Sequence, residues 1–84
     1  MITHVAIMQD NKVWKLPSPN RHHHIIKMIY KKTGAVMKPD AIQGFLTTHN
    51  MFLDRKQAKQ YAINHNQIKK GMGKHDDLYS EDLW

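Results

Sequence analysis

Arg21-His22-His23-His24 is the densest run of chemically capable side chains in the chain. A guanidinium offers a planar fork to phosphate or carboxylate. Neutral imidazole offers one donor and one acceptor, and protonated imidazole adds charge. If Ser18 or Asn20 caps a helix here, with Pro19 at its first position, these four residues fill the first turn. That turn carries unpaired N–H groups and the positive end of the helix dipole, so it can hold an anion. Successive helical residues lie about 100° apart. With Ile25, Ile26 and Ile29 as the apolar face, His22 points inward and is expected to be a hydrogen-bonded core histidine. His23 falls at the margin and His24 on the far side. Arg21, His23 and His24 are therefore the expected ligand contacts.

Gln43-Gly44-Phe45 is a second candidate. Gln43 can hydrogen-bond a base, and Gly44 lets backbone approach a ligand closely. Phe45 could stack on a base. With only two Phe in the chain, Phe45 is instead expected in the core. Arg55 and Lys56 open a second helix, where the dipole prefers anions. Arg55 is accordingly a candidate for ligand binding or for a contact with the acidic tail, against the simpler reading of a solvated face.

Catalytic constellations are sparse. The chain has no Cys and two Ser, one a candidate cap and one in the tail. Paired acids occur only at Asp76-Asp77 and Glu81-Asp82. Three adjacent His cannot converge on one ion, and helical metal pairs stand at i, i+4. No catalytic residue, metal ligand or cofactor is expected.

The elements that position these residues follow from patterning. Ile2, Val5 and Ile7 mark a strand, Asp10-Asn11 a turn, and Val13 to Leu16 its partner. A helix follows from the Pro17–Asn20 region to Thr33, with Gly34 as its left-handed terminus. Residues 43–48 and 51–53 form a second hairpin about His49-Asn50. Asp54 then caps a helix, with Gln57 in capping-box spacing and Ala58, Tyr61, Ala62 and His65 on one stripe. The order β-β-α-β-β-α predicts an α+β fold, an antiparallel sheet with two helices on one face. Residues 1–68 are expected to form the single domain, and residues 69–84 a linker and an acidic, aromatic C-terminal tail. That tail either docks, on its own body or a neighbouring protomer, or stays disordered.

Charge sets the partner class. Net charge is +6 over 84 residues, and residues 1–75 hold all 13 Lys and Arg against Asp10, Asp40 and Asp54, a balance of +10. Such a body attracts phosphates, nucleotides or nucleic acid. No apolar run nears the ~20 residues of a membrane span and no signal peptide is evident, so a cytoplasmic protein without membrane contact is expected. A chain this short buries a small core, which favours a homo-oligomer.

Arg21-His-His-His-Ile-Ile, Gln43-Gly-Phe-Leu, Phe52-Leu-Asp-Arg-Lys-Gln-Ala58 and Ser80-Glu-Asp-Leu-Trp84 together resemble a family of small phage and prophage proteins. The resemblance spans nearly the whole chain. It departs at His49-Asn50-Met51, where a Gly-Arg pair would be expected. The likeness implies a place in the host cytoplasm. Small phage proteins of this size and charge often antagonise bacterial defence, and one class, the nucleotide sponges, binds cyclic or ADP-ribose-derived immune signals without cleaving them.

The expected function is therefore non-catalytic sequestration of a phosphorylated, nucleotide-type immune second messenger by an anti-defence protein. Arg21, His23, His24, Gln43, Gly44 and Arg55 are its expected ligand-binding residues. Two alternatives stand beside it: a small His-dependent phosphodiesterase, and an inhibitor that binds a host defence protein or nucleic acid directly.

Overall fold

Two adjacent residues with positive φ, Asp10 (54°) and Asn11 (61°), close the first hairpin. Asp and Asn tolerate that conformation better than most residues, and the type I′ turn of a tight hairpin requires it at both central positions. The computed structural model describes residues 1–84. Strand β1 (Ile2–Gln9) pairs with β2 (Lys12–Pro17) across this turn. Helix α1 (His22–Thr33) follows, then β3 (Ile42–Thr47), β4 (Phe52–Asp54) and α2 (Arg55–Asn64). A short 3-10 turn, Ser80–Asp82, lies near the C-terminus. All pairings are antiparallel, in the order β2-β1-β3-β4. The expected α+β architecture is the observed one.

Alternation along the strands separates two sheet faces. Val5, Ile7, Phe45 and Leu53 point toward the helices and share one core cluster with Ile25 and Ile29 of α1 and Ala58 and Ala62 of α2. Both helices therefore cover the same face. Leu78 and Leu83 belong to that cluster too, so the C-terminal segment contributes to the same core. Ala6 and Leu46 are buried but stand outside the cluster, on the other face.

Local chemistry accounts for most helix ends. Gly34 has φ 74° and donates its N–H to Tyr30 O. Asp54 Oδ1 accepts the Gln57 N–H at 2.8 Å, and Gln57 Oε1 accepts the Asp54 N–H at 3.1 Å, a reciprocal capping box. Phe45 is fully buried, as its scarcity suggested. His65, expected on the α2 core stripe, is exposed; it ends the helix and stacks on Tyr61 at 4.0 Å between ring centres.

The start of α1 differs from expectation. Neither Ser18 nor Asn20 is the cap; Arg21 is. The Ser18 N–H bonds to Thr3 O, prolonging the β1–β2 ribbon, and Asn20 folds back on Pro17 O through its N–H and its amide. Pro19 accordingly lies outside the helix. Arg21 has no side-chain acceptor to give the first turn; instead His24 Nδ1 reaches back and accepts the Arg21 N–H at 2.8 Å, the reverse half of a capping box.

Gly44 is required by a close strand approach. A Cβ there would stand 2.1 Å from Leu53 O and 2.8 Å from Phe52 Cζ. Gly44→Ala is expected to force β3 and β4 apart and to cost about 3 kcal/mol or more. Urea denaturation measures this, and an unchanged midpoint would refute the close approach.

Candidate functional site

Six residues were expected to contact a ligand, and they fall into two groups. Arg21, His23 and His24 stand at the start of α1; Gln43 and Gly44 lie on β3, and Arg55 opens α2. His22 joins the groups. It is 7% exposed, its Nε2 lies 2.7 Å from Gly44 O, and its ring meets Phe45 edge-on at 5.0 Å. Since a carbonyl only accepts, Nε2 carries the proton. Burial pushes the His22 pKa down to about 4, outweighing the Gly44 hydrogen bond that raises it; the charge of Arg55 lowers it further. His22 is the hydrogen-bonded core histidine that its helical position implied.

His24 is committed differently. Its Nδ1 must be unprotonated to accept the Arg21 N–H, so its Nε2–H is the outward donor. Desolvation, then the neighbouring His23, Lys27 and Arg21, lower its pKa. The His23 and His24 rings lie 4.1 Å apart, tilted by 47°. Arg21 Nη1 is the one buried side-chain nitrogen or oxygen without a hydrogen-bond partner. An unpaired buried donor is costly, and more so when it belongs to a charged group.

Arg55 and Gln43 are occupied within the fold. Arg55 Nη2 donates to Gln43 Oε1 at 2.8 Å, and Nη1 donates to Leu78 O at 2.9 Å. The guanidinium also lies over the Tyr79 ring at 4.7 Å. Burial lowers its pKa, while Tyr79, Asp77 and Glu81 raise it. The cation that seemed misplaced at a helix N-terminus thus reaches the tail, through a backbone carbonyl and a ring.

Sequence reasoning missed the groups that hold residues 69–84 in place. Asp82 is 4% exposed; its carboxylate accepts N–H groups from Gly73 and Tyr79, and its own carbonyl accepts from Lys69. Lys59 Nζ donates to the carbonyls of Gly73 and His75. Trp84 Nε1 donates to Asn20 O at 3.0 Å, which sets the C-terminus beside the start of α1. The available signal was Asp82 itself, three residues after Tyr79, a spacing that lets an acid take the N–H of the residue opening a turn.

Most of the positive charge is unpaired. Lys38–Asp10 at 2.8 Å is the single salt bridge. No three His, Asp or Glu side chains form a metal-binding group, and no helix is long and apolar enough to cross a membrane. At the start of α1 a buried, unpartnered guanidinium nitrogen thus stands beside two imidazole rings, in a body whose lysines, Lys38 excepted, have no acidic partner.

Neither a curated protein nor a solved structure matches the chain. A family model, that of the phage T4 y16D protein, does match, over residues 1–84. This agrees with the likeness carried by the Arg21–Ile26, Gln43–Leu46, Phe52–Ala58 and Ser80–Trp84 blocks. The chain belongs to the phage T4 y16D protein family.

Proposed function

We propose that this phage protein binds a phosphorylated, nucleotide-type ligand without cleaving it, and that it acts in anti-defence by sequestering an immune signal. The observation that carries the reading is Arg21. Its Nη1 is buried and unpartnered at the start of α1, in a body whose cations almost all lack an acidic partner. A phosphate oxygen supplies the acceptor that this nitrogen lacks, in the bidentate geometry guanidinium favours. His23 and the His24 Nε2–H add donors. Gln43, Gly44 and Arg55 complete the proposed ligand-binding set; Gly44 is tied to the start of α1 through His22, and Gln43 bonds to Arg55, which also holds the tail.

The adjacent His23 and His24 rings favour one rival, a small phosphodiesterase using them as acid and base. A single experiment separates the two. The protein is melted against mono-, di- and cyclic dinucleotides, cyclic trinucleotides, ADP-ribose isomers and single-stranded DNA and RNA, and each ligand is recovered afterward. Binding to the native state raises the melting temperature by linkage. The expected result is a shift with one small nucleotide, recovered intact, and an affinity lowered at least about tenfold by Arg21→Ala. Recovered product would establish the enzyme. No shift with any nucleotide would refute the binding reading.

A further inference from the structure

One face of the sheet has no covering layer. Both helices and the C-terminal segment share the core on the opposite face. An antiparallel sheet can leave one face in water, but its residues are then polar. Here the open face presents half-buried Met8, Val13 and Phe52 around the buried Ala6 and Leu46, with Ile42 48% exposed at one end. Val13, Lys15, Leu46, Asn50 and Phe52 line a shallow cavity of about 140 Å³ on it.

The strand registers order the charges on this face. Lys15 pairs with Ala6, Ala6 with Gly44, and Gly44 with Asp54, so these four form one row across the sheet. Lys15 and Asp54 are the only Lys, Arg, Asp or Glu on the open face, and they stand on opposite edge strands of the same row. Asp54 uses Oδ1 for the Gln57 N–H, which leaves Oδ2 for another donor.

We propose that this face is the interface of a homodimer, with a second copy of the chain packed sheet to sheet about a two-fold axis parallel to the strands. Such an axis lays β2 of one copy over β4 of the other. Lys15 then faces Asp54 of the second copy, and the same pair forms again at the opposite edge. A self-complementary surface is what a two-fold requires. Aligned sheet packing keeps the strands within about 30° of parallel. The rows on either side of the charged row, Val13, Met8 and Ile42 on one and Phe52 on the other, supply the apolar contact, and the paired charges stand at the two edges. This inference does not depend on the nucleotide reading.

Sedimentation of the full chain at about 100 μM, a concentration that populates even a micromolar dimer, provides the test. The expected species has twice the 9.9 kDa chain mass. Lys15→Glu is expected to weaken the dimer by about tenfold or more, because it sets like charges together at both edges. Val13→Glu does the same by burying a charge. Neither side chain belongs to the core, so thermal melts by circular dichroism should report folded variants. Asp54→Asn keeps a cap acceptor for α2 and removes the repulsion, so K15E/D54N should dimerise more tightly than K15E. A wild-type monomer at this concentration would overturn the proposal. So would a dimer that both single variants leave unchanged, or a K15E/D54N variant no tighter than K15E.

Discussion

A chain ending at Asp77 is expected to lose cooperative unfolding at room temperature. Leu78 is fully buried and Leu83 is 9% exposed, both within the cluster that contains Phe45 and the two helices. Trp84 packs against that cluster. Burial of each leucine stabilises by about 2–3 kcal/mol, and the indole adds a comparable amount. Domains of this length hold about 4–13 kcal/mol in total. The lost segment also takes away polar partners. Arg55 Nη1 loses Leu78 O, and the N–H groups of Lys69 and Gly73 lose Asp82. The milder Leu78→Ala change leaves a cavity beside Phe45 and the helices, and should cost about 2–5 kcal/mol. Amide exchange and urea denaturation of both variants measure this. A truncated chain with the wild-type midpoint would show that residues 1–77 hold the fold alone.

The parts of this architecture legible in the sequence are those decided by neighbours a few residues apart. Asp54 and Gln57 cap α2 through bonds spanning three residues, Gly34 ends α1 through its own backbone, and Asp10-Asn11 sets a turn. The start of α1 resisted the same reasoning because tertiary contacts compete there. Ser18 is a good cap by type, but its N–H bonds to Thr3, fifteen residues away, and the cap residue is Arg21, whose own N–H is accepted by the His24 ring. The site divides along the same line. The excess of cations can be counted from the chain, and helical phase places His22 inward. That Arg55 spends its two terminal nitrogens on Gln43 and on a carbonyl 23 residues away depends on how the last residues fold back. Leu78 and Leu83 show no periodic spacing that would mark them as core, because they enter it from an irregular segment.

Stability should fall as pH is lowered from about 6.5 to about 4, with His22 as the main cause. In the unfolded chain this histidine takes a proton near 6.5; in the folded protein burial holds its pKa at about 4. Between those values the unfolded state binds more protons, so acid shifts the equilibrium toward it. Above 6.5 the ring is neutral in both states, and below 4 it is protonated in both, so its effect is confined to this window. The full difference amounts to about 3 kcal/mol. His24, whose pKa is also lowered, acts in the same direction, since protonation of its Nδ1 breaks the bond from the Arg21 N–H. His22→Gln isolates the buried ring, because the amide can still donate to Gly44 O yet does not titrate. At pH 7.5 the variant should be the less stable protein, having lost the contact with Phe45. As pH falls toward 4 the gap should narrow by about 3 kcal/mol, because only the wild type pays the cost of keeping a buried imidazole unprotonated. Urea midpoints collected across this range decide the matter: converging curves identify His22 as the acid-sensitive group, and parallel curves would show that it is not.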